Sequence, residues 1–195
     1  NFIIKRVQYL YYFYTNQERD LMIDPSIMND LPDMIQLAIM ACDKPPKAVA
    51  MDLKCSTSVV YQSLKGKRTL PSSVMRKFSE TNLIAAASMA MQATGLKKLF
   101  RYRKSDRHIQ ARLLELRMYD KKADEAMNKL PELLFNKNSY EDLSESDKEI
   151  LLSSIDAMIE RDNISLNLFM ELDTRFNLDL VNTIKKARFS NLKRA

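Results

Sequence analysis

From residue 31 onward the hydrophobic positions of the chain recur mostly at helical spacing. Met34, Ile35, Ala38, Ile39 and Cys42 fall at steps of three or four, so the run beginning at Leu31 has one apolar face and predicts a helix. Asp30 is a plausible cap ahead of it, and Pro32 suits its first turn, where a missing N–H is harmless. Pro45 and Pro46 then interrupt the chain. The following segment has Pro46 at a helix start, places Val49, Ala50 and Leu53 on an inner face, and ends near Lys54. After Cys55 come three hydroxyl residues. Ser56 or Thr57 can accept a hydrogen bond from a free backbone N–H and so open a helix over residues 58–65, which Gly66 closes as a glycine cap. Another start at Pro71 and Ser72 predicts a helix with Val74, Met75 and Phe78 inside and Arg76 and Lys77 outside. A further helix spans 81–99 and is broken at Gly95. Its Ala85, Ala86, Ala87 and Ala90 leave a thin surface that suits either core packing or a dimer seam.

Beyond residue 104 the same period continues through Ile109, Leu113 and Leu116, then Ala126, Leu130, Leu133 and Leu134, then Ile150, Leu151, Ile155, Met158 and Ile159. These positions are expected to face inward. Ser144 and Asp147 have the spacing of a capping box at the head of the last of these helices. Residues 166–169 and 176–181 add more apolar surface than a thin helix array needs, and such an excess predicts dimerisation.

Composition agrees with an all-α protein. The chain of 195 residues holds two glycines and no tryptophan and is rich in residues that lose little on entering a helix. No run of eighteen apolar residues occurs, so no transmembrane helix is expected. Cys42 and Cys55 lack Cys or His neighbours at ligand spacing, which argues against a disulfide framework or a zinc site and reads as two small buried thiols in a reducing cytosol. Residues 1–21 stand apart, with Phe2, Ile3 and Ile4 followed by Tyr9, Leu10, Tyr11, Tyr12, Phe13 and Tyr14. They lack the pattern of a secretory signal. This extension is expected to pack on the body or meet a partner, or else residues 17–21 are translated from a purine-rich ribosome-binding region ahead of Met22.

Charge divides the chain sharply. Residues 43–122 carry eighteen Lys and Arg against six Asp and Glu, a surplus of twelve. Residues 123–182 carry five against fourteen, a deficit of nine, and the last thirteen residues hold five basic side chains and no acid. Nucleic acid is the expected polyanion for the first half, because clustered cations release counterions from phosphate backbones. The alternative is a solvated charged face. Within the first half, Lys97, Lys98, Arg101, Arg103 and Lys104 interleave with Phe100 and Tyr102, which suits either a phosphate track or a junction with solvated lysines.

Val49, Ala50, Leu53, Cys55, Ser56, Val60, Gly66, Lys67 and Arg68, taken together, resemble the helix-turn-helix of the lambda-repressor/Cro-like (XRE-type) family over roughly residues 31–100. The resemblance implies an N-terminal helix-turn-helix DNA-binding domain over residues 22–104, and the helical period, the acidic charge and the surplus apolar surface add at 105–195 an acidic helical region for dimerisation or partner contact, in an all-α protein. Ala50 is small where two helices cross, and Leu53, Cys55 and Val60 wedge them apart. Two positions depart from the family pattern: Lys54 stands where a left-handed glycine is usual, at a cost of about 1 kcal/mol, and Ser63 occupies a late core position beside Leu64. The docking the resemblance implies places the first turn of helix 58–65 in the major groove. Ser56, Thr57, Ser58, Tyr61, Gln62 and Lys65 then face bases, with Gln62 suited to adenine, Lys65 to guanine or phosphate, and the Thr57 methyl to thymine. Tyr61 suits burial as well as a phosphate contact. Lys44, Lys47, Lys67 and Arg68 are the expected phosphate ligands.

No enzyme is expected. The paired acids Glu141 with Asp142, and Asp156 with Glu160, are expected on helix surfaces among other acids, no glycine-rich phosphate loop exists, and the single histidine, His108, reads as a surface residue. The expectation is therefore a cytoplasmic, nucleoid-associated transcription regulator without cofactor or metal, of bacterial or phage type, binding double-stranded DNA as a homodimer. The alternative is a protein-interaction module, an inhibitor or adaptor, whose acidic half binds a protein partner while the helix-turn-helix serves autoregulation.

Overall fold

A computed structural model describes residues 31–103 and 108–192, with side chains described through residue 186. The aromatic N-terminal extension, the Asp30 cap and Lys104 lie outside the described residues. Every regular element that is described is helical. In order these are α1 (Leu31–Ala41), α2 (Pro46–Asp52), α3 (Thr57–Leu64), α4 (Ser72–Phe78), α5 (Leu83–Thr94), the single turn α6 (Lys97–Phe100), α7 (Ile109–Met127), the short α8 (Leu130–Leu133), α9 (Glu145–Phe176) and α10 (Leu180–Leu192). No helix among the described residues is long and apolar enough to cross a membrane.

The first five helices close around one core. Helix α1 packs on α5 and α3, α2 crosses α3, and α4 rests on α5. Met34, Ile35 and Ala38 from α1 meet Val49, Ala50, Val60, Phe78 and Ile84, all buried. Each large aliphatic side chain so removed from water contributes about 1.5–3 kcal/mol. Ala85 and Ala87 are buried on α5, so the small-residue stripe of that helix belongs to the core. Asn82 caps α5 by accepting from the Ala85 N–H at 2.9 Å, and its amide nitrogen donates to the Ala38 carbonyl at 2.9 Å, which ties the start of α5 to the end of α1. Gly95, at φ +73°, ends α5 in the left-handed region, as its sequence position predicts.

The 32-residue helix α9 is the spine of the second half. Its start carries the expected capping box: Ser144 Oγ accepts the Asp147 N–H at 3.2 Å and an Asp147 carboxylate oxygen accepts the Ser144 N–H at 3.3 Å. It packs against α7 and α8, then against α6 and α5. Met170 of α9 and Val181 of α10 belong to the same core cluster as the first five helices.

Between α7 and α9 the buried set differs from the one the apolar period predicts. Leu113, Leu134 and Ile155 are 45%, 41% and 40% exposed. Ala126 is buried as expected, but Arg112, Ala123, Ser154, Asn163 and Asn167 are buried where apolar side chains were expected. Small and polar side chains line this contact because the chain segment 99–103 lies against α9 and needs hydrogen-bond partners that leucines cannot supply.

Candidate nucleic-acid interface

The site is built on the turn between α2 and α3. Leu53, the cap that follows α2, keeps right-handed geometry, and Lys54 then adopts φ +53°. That reversal lets the Lys54 N–H donate to the Met51 carbonyl at 3.0 Å and the Cys55 N–H donate to the Ala50 carbonyl at 3.0 Å, satisfying two carbonyls at the end of α2. Lysine at this position carries the steric cost of a Cβ in a left-handed turn. Ser56 follows in extended conformation and its hydroxyl accepts the Val59 N–H at 3.4 Å, capping α3. Because Ser56 is the cap, α3 runs Thr57–Leu64, one residue earlier than the 58–65 expected.

The end of α3 repeats the device of α2. Gly66, at φ +66°, donates from its N–H to the Ser63 carbonyl at 3.1 Å, and the Lys67 N–H donates to the Gln62 carbonyl at 2.9 Å. A Cβ on Gly66 would stand 3.3 Å from the Pro32 ring, so glycine is favoured there by backbone and by space together. These bonds fix where Lys67 and Arg68 leave the helix, and both are exposed.

Along α3 the exposed positions are Ser58 and Gln62, continued by Lys65 at the cap, a stripe at steps of four and three. Ser56 is exposed just ahead of them. Thr57 is half-buried, and Tyr61 is half-buried against the core. Val60, Ser63 and Leu64 form the opposite, buried face. Ser63 thus lies where the wedge needs a core residue, but its hydroxyl is buried without a hydrogen-bond partner. Val59, absent from the expected set, also packs on the core from a half-buried position.

The expected phosphate ligands are not equivalent. Lys47 is exposed on the first turn of α2. Lys44 holds Asp52 at 2.6 Å across the same helix, and that hydrogen bond, with the attraction of the carboxylate, raises its pKa. One basic residue near the turn was not assigned from sequence: the charge of Lys77 acts on Cys55, whose thiol is pushed up by burial and drawn down by that ammonium. Nothing in the sequence pairs positions 55 and 77, because their proximity comes from the packing of α4.

The interleaved basic and aromatic run at residues 97–103 is largely occupied from within. Lys98 pairs with Asp156, and Arg101 and Arg103 reach Glu160 at 3.0 and 2.7 Å. Tyr102 is buried and its hydroxyl donates to Glu171. Asn163 donates to the carbonyls of Leu99 and Arg101 at 2.9 and 2.8 Å, and Asn167 accepts the Arg103 N–H at 2.7 Å. The buried guanidinium of Arg112 donates to the Arg103 carbonyl and stacks 5.6 Å from the Tyr102 ring. Of the two uses the sequence leaves open, this segment takes that of a junction, and the acidic pair Asp156 and Glu160 serves it. Asp142, the other paired acid, accepts the N–H groups of Asn138 and Ser139 at 2.9 Å each. His108 is exposed at the start of α7.

Comparison of the chain with protein-family models, with curated proteins and with solved structures gives no match.

Proposed function

We propose that the chain is a sequence-specific double-stranded DNA-binding transcription regulator of the lambda-repressor/Cro-like kind, with α2 and α3 as its helix-turn-helix and α3 as the helix that enters the major groove. The observation that carries this reading is the left-handed turn at Lys54 followed at once by the Ser56 cap, which together aim α3 outward with Ser58, Gln62 and Lys65 on its exposed stripe. Ser56, at the first turn, and Thr57 and Tyr61, at the margin, complete the base-reading set. Lys47, Lys67, Arg68 and Lys44, once it leaves Asp52, hold phosphates. The protein acts as a homodimer on half-sites about one helical turn apart, in the cytoplasm and on the nucleoid. Its acidic second half sets the separation of the two heads.

Selection of bound genomic fragments followed by sequencing is the test. A recurrent motif is expected. Gln62→Ala should change preference at one base pair, and Arg68→Ala should weaken every sequence alike. Binding insensitive to both substitutions sinks the reading.

A second reading draws support from the exposed apolar side chains Leu113, Leu114 and Met118 on α7 and Leu152 on α9. In it the second half is a protein-docking module and the helix-turn-helix serves autoregulation. Capture of a specific protein by the full chain, with no enriched DNA motif, would favour it.

A further inference from the structure

Lys185 and Lys186 of α10 have no role in the proposed DNA-binding site, and their placement is informative. Helix α10 begins against the head. The carboxylate of Asp173, buried near the end of α9, accepts the Leu180 N–H at 2.9 Å and the Leu83 N–H at 3.2 Å, so one side chain satisfies the starts of α10 and α5 together. Val181 is buried against α5, whereas Asn182, Thr183, Ile184, Lys185 and Lys186 are exposed. After its first turn the helix therefore runs along or away from the body with its lysines in solvent. Lys185 reaches Glu80 at 3.2 Å, and this places α10 beside the end of α4. Lys77 is exposed three residues before Glu80, and Asn82, two residues after it, donates to Cys42 Sγ at 3.2 Å and to the Ala38 carbonyl, so the end of α4 lies beside the connection that carries Lys44 into α2.

From this placement we infer that Lys185 and Lys186 of α10, with Lys77 of α4, form a flank of the nucleic-acid interface that binds the phosphate backbone of duplex DNA beside the entry to α2 of the helix-turn-helix. The inference rests on the proposed DNA-binding reading. Charge and continuity support it: the flank carries three ammonium groups against the carboxylates of Glu80 and of Asp179 just ahead of α10, and it adjoins the connection that carries Lys44, a proposed phosphate ligand. The Lys185–Glu80 pair does not oppose it, since both side chains are about half exposed, at 51% and 52%, and such pairs contribute little. The acids of α9 that neutralise the junction, Asp156 and Glu160, are committed to Lys98, Arg101 and Arg103.

Fluorescence anisotropy with a labelled duplex about three helical turns long, titrated between about 50 and 200 mM salt, tests it on the full chain. The slope of log affinity against log salt should shrink by about 0.9 for each phosphate contact removed. Lys185→Gln with Lys186→Gln should lower it by about 1 to 2, with Lys77→Gln lowering it further. Lys121→Gln with Lys122→Gln, on α7, should leave it unchanged. If Lys67→Gln with Arg68→Gln lowers the slope while the α10 pair does not, the DNA-binding reading stands and this flank is overturned. If the α10 pair alters binding only to phosphatidylserine vesicles, the flank is likewise overturned. If the wild-type chain binds no duplex, both fall.

Discussion

Asp173 and Leu83 are 90 positions apart in sequence, and the carboxylate of the first accepts the backbone N–H of the second at 3.2 Å in a buried setting. The other oxygen of Asp173 takes the Leu180 N–H at 2.9 Å. A helix start leaves N–H groups unsatisfied and partly positive, so a buried carboxylate between two such starts is doubly favoured. Asp173→Ala should cost about 2–4 kcal/mol, taking about 1–2 for each cap lost. Denaturant unfolding monitored by circular dichroism checks this. A loss below about 0.5 kcal/mol would show that water replaces the carboxylate.

Lys54 offers the opposite sign. Its φ of +53° is a conformation a Cβ disfavours, and glycine adopts it freely. Lys54→Gly should raise stability by about 0.5–1 kcal/mol, the turn strain relieved being partly offset by the greater chain entropy of glycine when unfolded. The midpoint in urea is the readout. A decrease would mean that the turn relaxes in solution to a geometry other than the left-handed one.

Ser63 is buried at 1% exposure with its hydroxyl unpaired. Removing an unpaired buried hydroxyl relieves a desolvation penalty of about 1–3 kcal/mol, less the contacts it makes. Ser63→Ala is therefore expected to stabilise the protein by about 0.5–1 kcal/mol, while Val60→Ala, on the same buried face of α3, should cost about 1–3 kcal/mol. Thermal melts of the two variants should move in opposite directions.

How far the sequence carries is decided residue by residue. Ser56, Gly66, Ser144 and Gly95 act through hydrogen bonds or dihedrals within a few residues, and their roles in ending or starting helices are readable from spacing alone. The core of α1 to α5 is readable too, because Val49, Leu53 and Val60 are apolar and buried for the same reason. The contact of α7 with α9 is not. Leu113 and Ile155 keep the helical period yet face solvent, whereas Arg112 and Asn163 are buried because they serve the backbone of residues 99–103. A period scan counts apolar side chains and has no access to which distant carbonyls need a donor. The proposed site divides the same way: Gln62 and Arg68 follow from helix position, but the pairing of Lys44 with Asp52 and the approach of Lys77 to Cys55 arise only from packing.

The two thiols set a pH dependence. Cys42 is pushed above the ordinary thiol value chiefly by burial, against the hydrogen bonds from Thr81 and Asn82, and Cys55 is raised by burial as well. The folded state thus disfavours the thiolate. A group whose folded pKa is raised contributes stability below its unfolded value and loses it as pH rises through the folded value. Stability should decline from about pH 8.5 upward, the ordinary thiol range, and Cys42→Ala should flatten that decline. Urea midpoints across this range decide it, and an identical decline in the variant would assign the effect to other groups.

Arg112 is fully buried, and its guanidinium reaches the Arg103 carbonyl, Glu115 at 3.2 Å and the face of the Tyr102 ring. A buried charge with partners is costly to interrupt from one side, so Arg112→Ala should destabilise by about 3–5 kcal/mol. Replacing the charge while keeping the volume is a different operation. Arg112→Met retains packing against Tyr102 and removes the desolvation cost of the guanidinium, so its loss should be at least about 1 kcal/mol smaller. Either change removes the donor to the carbonyl of Arg103 and so loosens the head from the second half. On the proposed DNA-binding reading, with the polar junction fixing the spacing of two heads in a dimer, Arg112→Met should bind a single half-site as the wild type does while losing discrimination among half-site separations. Equal discrimination by both proteins would show that the junction stabilises the fold without setting the spacing.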